Sequence, residues 1–126
     1  MNAVLRAIRG ATTVDRDAAD QVFARTQVLV REILEANALD PDDIVSMIFT
    51  VTPDITSAFP ATAARALGLH EVALLGAVEA AVAGAAPRCI RVLVHCYTTR
   101  SRAEIRNVYL EGATGLRDGL GKAVRP

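Results

Sequence analysis

Tryptophan is absent from this chain of 126 residues, aromatics make up only 4% of it, and Lys122 is its single lysine. A core of 52% hydrophobic residues must therefore be assembled from valine, leucine, isoleucine and many alanines. There is no excess charge of either sign, since 14 basic residues balance 14 acidic ones. That balance argues against a nucleic-acid partner or an anionic membrane surface. No apolar run is long enough to cross a bilayer and no signal peptide precedes the first strand, so the cytoplasm is the expected location. His70, His95, Cys89 and Cys96 lack the spacing of metal ligands, and no metal is expected. No Ser/His/Asp or Cys/His arrangement supports a nucleophile, and neither Gly10 nor Gly84 belongs to a phosphate loop. Repeats, low-complexity stretches and composition shifts are also missing. At this length the expectation is one domain spanning 1–126.

What is present begins with Cys89-Ile90-Arg91-Val92-Leu93-Val94-His95-Cys96, the most apolar strand candidate. Alternation places Ile90, Val92, Val94 and Cys96 on a core face, and Cys89, Arg91, Leu93, His95 and Tyr97 on the other. Arg91 cannot shed its charge there, so it needs an anionic partner, from the protein or from a ligand. A structural ion pair, or a packed stem with its head in water, is the alternative to a binding site. The two cysteines fall on opposite faces of one strand and cannot pair with each other. They are expected as buried free thiols.

The pattern elsewhere predicts a strand over Val4 to Ala11 and a long helix, capped by Asp17, running to about Ala38. Val22, Thr26, Leu29, Val30 and Ile33 form its buried stripe, and Asn37 suits its end. Asp40-Pro41-Asp42-Asp43 predicts a brief helical turn. Val45 to Val51 is expected as a fully buried strand with Ser46 and Thr50 as polar members. A loop over Thr52 to Pro60 leads into a short helix from Ala61 to Leu67, closed by Gly68. Strands follow at Val72 to Leu75 and Arg88 to Tyr97, with an alanine-rich stretch from Gly76 to Pro87 between them. Ser101-x-x-Glu104 matches a capping box, Ile105 to Leu110 favours strand, and the tail from Glu111 to Pro126 is expected to be mobile at its end. The order β-α-β-α-β-β-β predicts a mixed α/β or α+β domain with about five strands.

Four arginines, Arg9, Arg65, Arg91 and Arg117, sit at predicted strand and helix ends, beside Tyr109 and the isolated carboxylate Glu79. Each has a plain structural alternative: a solvated helix face, a core tyrosine, an ion pair. Glu79 is the only charge between Glu71 and Arg88, so it is either exposed or paired with a cation such as Arg91. Several arginines without nucleophile or metal suit a ligand with more than one carboxylate, or chemistry that needs only charge stabilisation.

Five segments in order and at matching spacing then resemble the monofunctional AroH-type chorismate mutases. They are Arg6-Ala7-Ile8-Arg9-Gly10-Ala11-Thr12-Thr13, Thr52-Pro53-Asp54, Ser57-Ala58-Phe59-Pro60-Ala61, Arg88-Cys89-Ile90-Arg91-Val92, and Val108-Tyr109-Leu110-Glu111 with Leu116-Arg117. The resemblance spans nearly the whole chain. It implies a trimer of compact α/β subunits whose sheets form a pseudo-barrel, with active sites between subunits and no cofactor. It implies the Claisen rearrangement of chorismate to prephenate in aromatic amino-acid biosynthesis. Arg91 would lie beside the breaking ether oxygen, Arg9 would contact the substrate, Glu79 would accept from the ring hydroxyl, and Tyr109 would meet a carboxylate. Phe59, Ala61 and Arg65 would line the cleft from a neighbouring subunit, with Leu116 and Arg117 helping to cover it. Thr62 and Gly76 stand where the family commonly has lysine and cysteine, and apolar residues flank Glu79 where it has a glutamine and an acid. Two other readings are a RidA-like enamine/imine deaminase, which also holds a carboxylate with an arginine, and a non-catalytic small-molecule-binding domain.

Overall fold

The computed structural model describes residues 2–116. Its elements are β1 (Val4–Thr13), α1 (Ala19–Ala36), β2 (Ile44–Val51), α2 (Pro60–Arg65), β3 (Ala73–Val78), β4 (Cys89–Thr98) and β5 (Val108–Tyr109). Single 3-10 turns occupy Pro41–Asp43, Arg102–Glu104 and Glu111–Ala113. The strands form one five-stranded sheet in the order β3-β2-β4-β1-β5. β4 runs antiparallel to both its neighbours, while β3 lies parallel to β2 and β5 parallel to β1. This is the mixed sheet with one long helix that the element order predicts.

α1 covers one face of the sheet with the predicted stripe, Val22, Thr26, Leu29, Val30 and Ile33 all being buried. They meet Ile8 of β1, Met47 and Phe49 of β2, and Ile90, Val92 and Val94 of β4. A fully buried aliphatic side chain stabilises the fold by about 1.5–3 kcal/mol, so this seam supplies most of the driving force. Contact is close enough that a Cβ on Gly10 would stand 2.6 Å from Ile33 Cδ1.

Several local expectations are corrected. Asp17 does not cap α1, whose N-cap is Ala18 with no side-chain bond. The Asp17 carboxylate instead accepts from the Thr56 amide and hydroxyl and from the Ser57 amide, more donors than the one or two a helix end offers. β2 is not fully buried; Val45 is 45% exposed, and only alternate residues face α1. α2 begins one residue early, at Pro60, and ends at Arg65, short of Gly68 with its φ of +91°. β3 runs on through Gly76 to Val78, because Phe49, Thr50 and Val51 offer it a complete parallel partner. Only Val108 and Tyr109 of the stretch Ile105 to Leu110 are strand. Side chains claim backbone groups on both strands there: Asn37 takes the N–H and the C=O of Arg106, just before β5, and Asn107 Oδ1 accepts from the Arg9 amide of β1. Asn37 thereby also ties the end of α1 down, as its place at the helix end suggested. The helical turn after Asp40 and the capping box at Ser101 form as expected, and both cysteines are buried free thiols.

Candidate active site

Sheet register collects the site. On the face away from α1, Thr50 of β2 pairs with Arg91 of β4, Arg91 with Ala11 of β1, and Ala11 with Tyr109 of β5. Paired residues point to the same side, so one row carries Ala77, Thr50, Arg91, Ala11 and Tyr109 across the sheet. The next row carries Leu75, Ile48, Leu93 and Arg9. Arg9 and Arg91 therefore sit on adjacent strands of one face, two positions out of step.

Glu79 follows β3 directly, its amide donating to Val51 O at 2.8 Å. Its Oε2 accepts from Thr50 Oγ1 at 2.6 Å and faces Arg91 Nε at 3.6 Å. The alternative left open for Glu79 resolves to pairing with Arg91, each side chain about one-third exposed. The pair is not closed. A charge-assisted bond between guanidinium and carboxylate runs at about 2.7–2.9 Å, and Arg91 Nε is buried with no hydrogen-bond partner. A buried charged donor in that condition is costly to a fold. An anion supplied from outside would relieve it.

The end of the site is a small cluster of Ala11, Cys89, Ala113 and Leu116, with Tyr109 packed against it. Burial pushes the Cys89 thiol up, against the opposing pull of Arg91, so this cysteine stays a neutral, inert wall. The start of β4 is pinned by the segment Thr52-Pro53-Asp54. Thr52 Oγ1 donates to Asp54 Oδ1 at 2.5 Å and accepts from the Cys89 amide, while Asp54 Oδ2 accepts from the Arg88 amide. The Thr52 hydroxyl chiefly holds the Asp54 carboxyl below its ordinary value. Arg88 itself takes a positive φ of 48°. This clamp sets Arg91 two residues downstream, a role that sequence reasoning missed.

The remaining residues divide. Arg9 lines a groove of about 620 Å³ together with Leu5, Ala7, Leu93, His95 and Asn107. Arg91, Glu79 and Tyr109 are not among the residues lining that groove. Phe59 is 78% exposed at the start of α2, Ala61 is buried against the core beneath α1, and Arg65 is exposed at the helix end. That helix packs against α1 and β3, with Ala61 on the sheet face opposite Arg91. Leu116 joins the site through its cluster; Arg117 and the expected mobile tail lie outside the described residues. Thr50, which bonds Glu79, is another residue to which sequence reasoning gave no part. Its signal was a hydroxyl in an apolar strand, at a position whose partner across the sheet is an arginine.

Among the described residues no group of three or more His, Cys, Asp or Glu could hold a metal ion, and no helix is long and apolar enough to cross a membrane. A sequence model of the chorismate mutase type I family matches residues 5–120. Chorismate mutase AroH of Thermus thermophilus is 45% identical over 95% of this chain and 99% of its own length. The protein of the same name from Bacillus subtilis is 40% identical over 93% of each. A solved structure titled chorismate mutase from Clostridium thermocellum superposes with a TM-score of 0.85 at 49% identity, over 86% of this chain and 96% of that one.

Proposed function

This chain belongs to the chorismate mutase type I family, an isomerase that rearranges chorismate to prephenate in aromatic amino-acid biosynthesis, and from that premise we propose how its residues do so. The deaminase and the non-catalytic binding domain are not favoured. Arg91 stabilises the ether oxygen, Glu79 accepts from the ring hydroxyl, Arg9 contacts the substrate, Tyr109 meets a carboxylate, and Phe59, Ala61 and Arg65 arrive from a neighbouring subunit. Leu116 and Arg117 cover the cleft. No cofactor takes part.

The rearrangement is unimolecular, so no protein group need attack anything. In its transition state the carbon–oxygen bond breaks ahead of carbon–carbon bond formation, and negative charge gathers on the oxygen. A fixed guanidinium there favours the transition state over the ground state, which is what catalysis requires. Holding the two carboxylates selects the compact conformer in which the reacting carbons approach. The observation that carries this reading is the Arg91 Nε–H, buried without an acceptor and held 3.6 Å from a carboxylate oxygen already bonded to Thr50.

We propose a homotrimer, and an exposed apolar face supports the association. Leu5, Leu75 and Tyr97 are each more than half exposed on the face opposite α1, an apolar surface that a second subunit would cover. Chelator-treated protein incubated with chorismate should consume it far faster than the uncatalysed decay, at a light-scattering mass three times that of the chain. Decay at the uncatalysed rate would remove the mechanism. A clean monomer that still turns over would remove the shared cleft.

A further inference from the structure

Glu79 Oε2 is approached by two donors, and only one reaches it. Thr50 Oγ1 bonds it at 2.6 Å, while Arg91 Nε stops at 3.6 Å. The hydroxyl is placed by the sheet and not by a flexible stem: Thr50 pairs with Ala77 on one side and Arg91 on the other, and the Glu79 amide is fastened to Val51 O, the residue next to Thr50. A β-branched side chain in a strand has few rotamers to choose from, and a short O–H···O⁻ bond is among the stronger ones a carboxylate makes. Nothing in the fold requires this bond. Thr50 and Glu79 are each partly open to solvent, where water would satisfy them equally well.

We infer that Thr50 is a positioning residue for the rearrangement. Its hydroxyl occupies Glu79 Oε2, leaves Oε1 to accept from the substrate hydroxyl, and keeps the carboxylate from closing onto Arg91. Without it the carboxylate is free to turn and form an ordinary ion pair with Arg91 Nε. Both groups would then be withdrawn from the substrate at once. The inference rests on the roles proposed above for Arg91 and Glu79.

The test compares Thr50→Val, which keeps the branched shape and removes the hydroxyl, with Thr50→Ser, which keeps the hydroxyl. A hydrogen bond to a charged group is worth roughly 10- to 100-fold, and the loss in Thr50→Val should fall on kcat with KM within about threefold of wild type. Thr50→Ser should recover most of it, and both variants should unfold near the wild-type temperature. Thr50→Val turning over within about threefold of wild type would overturn the inference, as would Thr50→Ser being equally slow. If Thr50→Val is unstable, Thr50→Ala judged against Thr50→Ser on the same kcat criterion takes its place. Glu79→Ala, which removes the acceptor altogether, separates the two levels of the argument. A fast Glu79→Ala enzyme would mean that the role proposed for Glu79 is wrong; a slow one beside a fast Thr50→Val would mean that only the positioning role is.

Discussion

Against α1 the sheet is filled to contact, with Ile8, Met47, Phe49 and Val94 fully buried, whereas the opposite face leaves Leu5, Leu75 and Tyr97 half open and carries Arg9, Arg91 and His95. The arginines differ in the same way. Arg25, at the edge of α1, donates to Thr13 O at 2.6 Å and to Asp15 Oδ2 at 3.1 Å, with Glu111 at 3.8 Å. Arg91 has a buried Nε–H and no acceptor. Arg25 spends its donors on acceptors within the chain, while the Nε–H of Arg91 stops 3.6 Å short of Glu79 Oε2. Burial alone does not separate the two cases, since Arg25 and Arg91 are both largely covered, 23% and 33% exposed. Satisfaction of the donors does.

The strongest way to break this contrast is to remove the unsatisfied arginine. Arg91→Ala should lower kcat by more than the roughly 10²–10³-fold typical of one neutral oxyanion donor, because a full charge is lost. Arg91→Lys should recover part of the rate, restoring charge without the planar fork. Steady-state kinetics with a thermal melt decides it. Loss of activity in step with loss of stability would make Arg91 a structural residue like Arg25, and near-wild-type kcat/KM in a folded variant would exclude it from catalysis.

The filled face should answer in stability and not in rate. Gly10→Ala places a Cβ 2.6 Å from Ile33 Cδ1 and 3.2 Å from both Leu29 Cδ1 and Val92 Cγ1. Overpacking of this kind costs about 1–3 kcal/mol, somewhat relieved because Ile33 Cδ1 is a side-chain end that can swing. Urea unfolding should show the loss, with turnover per folded molecule unchanged. Stability within about 0.5 kcal/mol of wild type would mean that α1 has slack the packing does not suggest.

The smallest effect lies at the loop that leads to Phe59. Bonds from Ser57, its hydroxyl foremost, and from the Thr56 amide hold the Asp17 carboxyl below its ordinary 3.8. A carboxyl lowered by folding contributes stability above its unfolded value and loses it as pH falls through the folded value, since the unfolded chain then binds the extra proton. Melting temperatures taken from about pH 5 down to pH 2 should therefore fall more steeply for wild type than for Asp17→Asn. The difference should be small, because the group is fully exposed and Asp54 shares the same acid dependence. Parallel curves would show that the Asp17 bonds to Thr56 and Ser57 hold no stability at all.

Much of this was legible without coordinates. The stripe of α1 came through residue for residue, because a helical period and its apolar partners are both local. Arg91 stood out because a charge on a strand of such apolar character has few explanations. Asp17 misled, since its nearest use in sequence was a helix end and its actual donors lie 39 and 40 residues away. Ile105 to Leu110 misled in the other direction. Its composition favours strand, but Asn37 and Asn107 take the backbone groups that a ladder would need.

By itself, then, the chain determined which residues face inward and that an arginine sits on the far side of β4, because side-chain alternation needs only neighbours along the backbone. Tertiary structure alone decided that Thr50 bonds the Glu79 carboxylate oxygen that faces Arg91. They come from β2, the end of β3 and β4, and Thr50 and Glu79 are 29 residues apart in the chain. Their spacing is set by the register of three paired strands, in which a slip of one residue would turn Thr50 toward α1 and leave Glu79 facing Arg91 alone.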